Sequence, residues 1–285
     1  MNTVKTGWIG LGKMGIPMSQ QLIKAGYPLS VYNRSKDKEE VFKAQGIGTA
    51  ASPALLLKDA DVVIIMVSDD KALNDIFYGD EGLQAAKASG KIIINMSTVS
   101  PSITKEVAAA CKEHGNYYLD APVSGSVKQA EDAALVIMVG GESVAFEQAK
   151  PILEKIGKLV MLVGDTGAGN VAKLAINTLL GIVAQGLAET VTLAQQNGIT
   201  AEALTTLIGN STLGSPFIKI KGDAIVNNNY NAAFALKHIA KDLRLAKDLG
   251  LATPLGETAY QTYQDAEAAF GEEDIIAVIK QVGKV

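Results

Sequence analysis

Between Asn170 and Gln196 only two residues carry charge, Lys173 and Glu189. Lys173 lies four residues before Asn177, so on a helix the two side chains project from one face. It also falls within the first turns after Gly169-Asn170, where the positive end of the helix dipole and an apolar surround both disfavour an ammonium. Its pKa is expected to fall. Working near neutrality requires a drop of about three units from roughly 10.4, a differential of about 4 kcal/mol that burial can supply. Such a lysine can exchange the proton that accompanies interconversion of a carbonyl and an alcohol, with Asn177 orienting the amine or a substrate hydroxyl. Spacing alone leaves a second reading open, a structural lysine paired with an acid. Histidine offers little competition: His114 sits in the polar segment Lys112-Glu113-His114-Gly115, and His238 has no evident orienting partner.

A carbonyl reduction also needs a hydride source, and Gly10-Leu11-Gly12-Lys13-Met14-Gly15 fits the GxGxxG pattern. It lies between a strand-like segment ending at Ile9 and a helical pattern running from about Met14 to Ala25. The first glycine permits a tight turn, the second lets backbone approach a pyrophosphate, and the third lets helix pack on strand. The helix N-terminus then faces the phosphates. A glycine-rich turn without a ligand is the alternative. About twenty residues on stands Tyr32-Asn33-Arg34-Ser35, where NAD enzymes usually place an acid on the ribose hydroxyls. Arg34 can instead bind a 2′-phosphate through paired charge-assisted hydrogen bonds, with Asn33 and Ser35 as further donors. NADP is therefore expected ahead of NAD, unless Arg34 is simply a solvated loop cation. Val67 and Ser68, where the run from Val62 ends, are further cofactor candidates.

Two other segments supply polar groups after strands, Asn95-Met96-Ser97-Thr98 and Asp120-Ala121-Pro122-Val123-Ser124-Gly125-Ser126. Ligands of open parallel sheets bind beyond the carboxyl ends of the strands, which brings both loops to one crevice. Ser124 and the amides around Gly125 suit a carboxylate. Ser124 is not read as a hydrolytic nucleophile, because no GxSxG elbow and no histidine base accompany it.

The elements that must position these residues follow from hydrophobic patterning. Short apolar runs alternate with helical patterns through the first half: Gly7–Ile9, Leu29–Tyr32, Val62–Val67, Lys91–Ile94, Tyr117–Leu119, Leu135–Val139 and Leu159–Val163. Val62–Val67 is apolar at every position, as a strand covered on both faces requires. An α/β fold follows, a Rossmann-type doubly wound parallel sheet. Strand signals stop after Gly164–Gly169, so residues 1–164 are expected to bind dinucleotide. Residues 165–285 are expected to form an all-α domain for substrate and dimerisation, opening on a long helix between the domains. That helix is apolar nearly all round and is expected to be buried between partners. Its most apolar part, Leu174–Ala188, includes Asn177 and Gln185 and falls short of a membrane span.

The 285 residues, 48% hydrophobic and 20% charged, suit about two globular domains. One cysteine, Cys111, excludes an intrachain disulfide and a multi-thiolate metal site. A net charge of −4 gives no footprint for nucleic acid or anionic membrane. No apolar leader is read in Met1–Thr6, and a cytoplasmic location is expected.

Four separated motifs, in order, resemble the β-hydroxyacid dehydrogenase family over essentially the whole chain. They are Gly10–Met18, Asp120–Gly125, Gly167–Lys173 with Asn177, and Lys241-Asp242-Leu243-Arg244-Leu245-Ala246. The resemblance implies that Lys173 is the acid/base residue and that Asn177 aids substrate positioning. It implies that Thr98, Ser124 and Gly125 line the substrate or nicotinamide site, and that Lys241 reaches the cofactor across an interdomain cleft. Ser124-Gly125-Ser126 and Phe234-Ala235-Leu236-Lys237-His238 look more like the glyoxylate/succinic semialdehyde reductases than the 3-hydroxyisobutyrate enzymes, with Phe234 and Asp242 as substrate-side residues. Ile176, Gln129 and Ala133 depart from what many relatives carry. The implied activity is NADPH-dependent reduction of a small carboxylate-bearing aldehyde. An NAD-linked 3-hydroxyacid dehydrogenase and a non-catalytic nucleotide-binding scaffold are the alternatives. A homodimer or homotetramer is expected, because the long helix needs more apolar cover than one small domain gives.

Overall fold

The apolar segment Val62–Ile65 becomes a strand covered on both faces. In a computed structural model, which describes residues 3–283, the chain divides into two units, one ending at Lys173 and one beginning at Leu174. The first unit holds nine strands: β1 (Thr6–Ile9), β2 (Leu29–Tyr32), β3 (Gly48–Thr49), β4 (Val62–Ile65), β5 (Ile92–Asn95), β6 (Tyr117–Asp120), β7 (Val123–Ser124), β8 (Leu135–Gly140) and β9 (Gly157–Gly164). They form one sheet in the order β3-β2-β1-β4-β5-β6-β8-β7, with β9 paired to β8.

The double winding is visible residue by residue along β4. Val62 and Ile64 join a cluster with Trp8, Met18, Leu22 and Val31, while Val63 and Ile65 join another with Ile9, Leu73, Phe77 and Val107. Helix Gly15–Lys24 therefore covers one face, and helices Pro53–Asp59, Asp70–Tyr78 and Pro101–Glu113 cover the other.

The expectation of a parallel sheet holds from β1 to β6 and fails beyond it. β8 runs antiparallel to both β6 and β7, and β9 follows β8 in parallel. Only residues 125–134 join β7 to β8, helix Val127–Glu131 included, and a parallel crossover needs a dozen residues or more. The chain turns back as a hairpin instead. An apolar run does not encode direction, and in β9 it does not encode coverage either, since Leu159, Met161 and Val163 are exposed.

In the second unit, helices Ala201–Gly209, Pro216–Val226, Leu236–Asp248 and Pro254–Phe270 surround a core of Ala184, Val191, Leu236, Ile239, Leu243, Tyr263 and Ile275. Thr200 and Ser215 cap two of these helices by accepting backbone N–H groups, and Pro216 and Pro254 occupy first turns, where no donor is needed. Among the described residues this unit has no strand, only an isolated bridge between Ala235 and Asp274.

Helix Ala168–Gln196 supplies its first residues to one unit and the rest to the other. It is long and apolar enough to cross a membrane by length and composition, with a window of mean hydropathy 1.5. Its polar side chains argue for a core helix, because Asn170 and Asn177 are buried and hydrogen-bonded within the protein. The helix is less enclosed than expected: Leu179 and Leu193 are each 62% exposed. One chain covers one side of it and leaves the other apolar.

Burial also fixes the state of the single thiol. Cys111 packs against the second face of the sheet, and loss of solvent pushes its pKa up to about 12. At pH 8 the native thiol is therefore protonated and shielded. A disulfide reagent should titrate no thiol in the folded protein at pH 8 and one per chain after denaturation.

Candidate active site

The three glycines of the first turn answer to different constraints. Gly10 has φ +98°, and a Cβ there would stand 2.1 Å from the Met66 carbonyl oxygen. A Cβ on Gly15 would stand 2.0 Å from the Gly10 oxygen. A Cβ on Gly12 would meet nothing within 4 Å. Backbone packing thus demands the outer two, while the middle one leaves open space. Beyond it begins helix Gly15–Lys24, with no side-chain cap and no acid in its first turn. An uncapped helix start free of acids and the open space at Gly12 suit a pyrophosphate, so the turn fits a dinucleotide.

Of the other residues in this turn, Leu11 is fully buried by its side chain, Lys13 is exposed and Met14 is half-buried. Leu11 N–H donates to Asn33 Oδ1 at 2.9 Å, and Asn33 Nδ2 donates to the Ser35 oxygen at 2.8 Å. Asn33 is therefore a brace that fixes the glycine turn to the end of β2. Arg34 and Ser35 remain exposed. An acid not among the candidates, Glu39, turns inward: it is 2% exposed, accepts Asn33 N–H at 2.8 Å and pairs with Lys36 at 2.9 Å. Its spacing of three from Lys36 was the available signal.

The loops after β4, β5 and β6 are joined by buried polar side chains. Val67 N–H donates to Ser97 Oγ at 2.8 Å, and Ser97 N–H donates to Asn95 Oδ1 at 3.0 Å. Val99 N–H donates to Asn170 Oδ1 at 3.1 Å, which fixes Thr98 between two anchored neighbours. Ser68 donates to Asp69, which caps helix Asp70–Tyr78.

Asp120, at the end of β6, is fully buried. Its Oδ1 accepts Gly167 N–H at 2.7 Å and its Oδ2 accepts Asn170 N–H at 2.8 Å. Burial raises its pKa, and these backbone donors oppose the rise. A Cβ on Gly140 or Gly169 would stand 2.5 Å from Asp120 atoms, so both positions exclude side chains. Lys173 follows one turn after Asn170 and is 9% exposed.

Ser124 ends β7, half-buried, and is followed by Gly125 at φ +141°. Ser126 N–H donates to Gln129 Oε1 at 2.8 Å, which gives Gln129 a capping role in the next helix. Gln21, from the helix after the glycine turn, donates to the Ala130 and Glu131 oxygens at 3.3 and 2.6 Å. The glycine turn and the Ser124-Gly125 loop are thereby linked across more than a hundred residues. Nothing local in the sequence signals that contact.

The second unit assembles its own group. Asn177 is 1% exposed and donates through Nδ2 to Asp242 Oδ2 at 2.5 Å. Lys241 Nζ lies 3.1 Å from Asp242 Oδ1. The structure thus brings Asn177, Lys241 and Asp242 together, with Asp242 between the other two. Phe234 N–H and Ala233 N–H donate to Asp274 Oδ2, and Asp274 Oδ1 pairs with buried Lys221 at 2.7 Å. Phe234 is held in place by that pair. Its ring lies 6.0 Å from His238, whose pKa is lowered by burial and then by Lys241.

The chain is similar to known proteins over nearly its whole length. Residues 5–164 match the model for the NAD binding domain of 6-phosphogluconate dehydrogenase, and residues 167–282 match that for the NAD-binding domain of NADP-dependent 3-hydroxyisobutyrate dehydrogenase. Glyoxylate/succinic semialdehyde reductase 2 of Arabidopsis thaliana, a chloroplastic protein, is 34% identical over 98% of this chain and 80% of its own length. NAD-dependent L-serine dehydrogenase of Pseudomonas aeruginosa is 34% identical over 96% of both chains. The solved structure of Mycobacterium tuberculosis 3-hydroxyisobutyrate dehydrogenase with L-serine is similar at a TM-score of 0.90 and 31% identity, over 99% of each chain.

The two kinds of glycine should separate by experiment. Gly12→Val should keep its melting temperature to within about 1 °C yet weaken dinucleotide binding by on the order of 30-fold, as measured by fluorescence titration. Gly15→Ala should lower the melting temperature, because its Cβ meets backbone.

Proposed function

Because this chain belongs to the β-hydroxyacid dehydrogenase family and is an NAD(P)-dependent oxidoreductase, we propose that it reduces the aldehyde group of a small oxo-acid, with NADPH as reductant and Lys173 as proton donor. Glyoxylate, succinic semialdehyde or a close semialdehyde is the substrate in this reading. The observation that carries it is Lys173, a buried amine one turn beyond an anchored helix start and four residues before buried Asn177. A lysine that needed only solvation would not stand there.

The reduced nicotinamide, when bound, supplies the hydride. Gly10, Leu11, Gly12, Lys13, Met14 and Gly15 form the turn that takes the pyrophosphate, Gly10 and Leu11 by shaping it through their bonds to Tyr32 and Asn33, and Val67, Ser68, Thr98 and Lys241 line the rest of the cofactor. Arg34 and Ser35 take the 2′-phosphate. Exposed Arg34 supports NADPH, since its guanidinium is available to that phosphate while the Glu39 carboxylate is turned inward to Asn33 N–H and Lys36. Ser124, Gly125 and Thr98 hold the substrate carboxylate. Lys173 Nζ gives its proton to the oxygen that becomes the hydroxyl, and in reverse the neutral amine accepts it. Asn177, held by Asp242, orients that exchange, and Phe234 bounds the substrate. Residues 1–164 form the cofactor-binding part and 165–285 the substrate and dimerisation part.

The NAD-dependent L-serine dehydrogenase relative favours a second reading, oxidation of a 3-hydroxy acid with NAD. A second copy of the chain is the partner that covers Leu179 and Leu193, in a homodimer or homotetramer. Bacterial relatives support action in the cytoplasm.

Steady-state rates with a panel of oxo-acids and hydroxy acids, each with NADPH and NADH, test the reading. Aldehyde reduction with NADPH should give the highest kcat/KM, and Arg34→Asp should cut the NADPH value by about 30-fold while sparing NADH. Equal use of both cofactors would overturn the preference, and no turnover on any aldehyde would overturn the reaction.

A further inference from the structure

The helix that carries Lys173 begins on a buried negative charge. Its positive end alone would lower the pKa of a lysine nearby, as the sequence suggested. Yet both oxygens of Asp120 accept N–H groups of that terminus, from Gly167 and Asn170. A full carboxylate charge outweighs the roughly half charge of a helix end, so the field at the helix start is reversed in sign.

Apart from Lys173 itself, the ionisable groups around this carboxylate are neutral or exposed. On β6 it adjoins Tyr118, whose hydroxyl is pushed up by burial, and helix Pro101–Glu113, packed on β6, carries near Tyr118 the Cys111 thiol, pushed up to about 12. Lys105 of that helix passes beside Gly167 but is exposed, and so is Asp165 on the incoming segment. From β5 and β8 it meets Asn95 and Gly140, which do not ionise.

We propose that Asp120 is a positioning residue for proton transfer: its carboxylate fixes the first turn of the Lys173 helix and holds the lysine's proton exchange at a higher pH than burial alone would allow. This rests on the reading of Lys173 as the proton donor. Burial favours the neutral amine, Asp120 favours the ammonium, and the balance keeps a proton available for donation at neutral pH. Two charges about 10 Å apart at an effective dielectric of about 20 shift a pKa by about one unit.

Asp120→Asn tests this, with Asp120→Ser in reserve should the amide variant not fold. The pH profile of kcat/KM for hydroxy-acid oxidation is measured in parallel with an NMR titration of isotope-labelled lysine amines in the cofactor-free protein. The Lys173 signal is identified by its loss in Lys173→Arg. Both titrations should move down by about one pH unit, and charges such as Lys241 and Asp242, common to both proteins, cancel in the comparison. A residue with only a structural role would lower the melting temperature and kcat at every pH without moving either titration, and that result overturns the proposal. So does carbon NMR of the wild-type aspartates showing Asp120 protonated at neutral pH, a measurement that needs no variant. Unmoved titrations with an inactive Lys173→Ala reject the role of Asp120 alone, whereas full activity of Lys173→Ala rejects the reading beneath it.

Discussion

A carboxylate taken out of water must be given donors in its place, and Asp120 receives them from the start of the helix that carries Lys173. That requirement organises the first unit. It fixes where the helix begins, and it strips side chains from positions 140 and 169. Through Asn170, which Asp120 anchors, the same helix start holds the Thr98 segment. Asn95 and Ser97 pass the constraint on to Val67. Leaving either oxygen or either amide without its partner would cost on the order of 1–3 kcal/mol, so these loop positions are held jointly.

The second unit solves a similar problem with ion pairs. Asp242 and Asp274 are both buried, and each is neutralised by one lysine while its remaining oxygen accepts other hydrogen bonds. Replacing both partners of such a pair by apolar groups is often tolerated, whereas removing one strands a charge. The pairs are therefore better understood as fixing geometry than as adding stability. Asp274 fixes the backbone at Phe234, and Asp242 fixes the Asn177 amide. Asp242 Oδ2 holds Asn177, and Oδ1 lies beside Lys241 Nζ.

Much of this was legible in the sequence, for definable reasons. The unbroken apolar run of β4 announces a strand covered on both faces, and the glycine turn announces its own geometry. Strand direction was not legible in the runs of β8 and β9; the short connection before β8 decides it. Asn33 has the side chain of a phosphate donor, but its oxygen braces Leu11 and its amide bonds Ser35. The contacts of Asp120 with the Lys173 helix span some fifty residues, and those of Gln21 more than a hundred. Such pairings have no local periodicity to betray them. The long helix is apolar nearly all round, yet Leu179 and Leu193 are exposed, because composition does not show which side of a helix a fold leaves uncovered.

Chemical rescue of Lys173→Ala is the most direct test of the central claim, that one buried amine carries the proton. With fold and dinucleotide affinity intact, the variant should lose on the order of a thousandfold in kcat, within the usual range for general acid–base catalysis. Added primary amines should restore turnover in proportion to their concentration and with a dependence on their pKa. Wild-type turnover in the variant, or a loss that no amine relieves, would contradict the account.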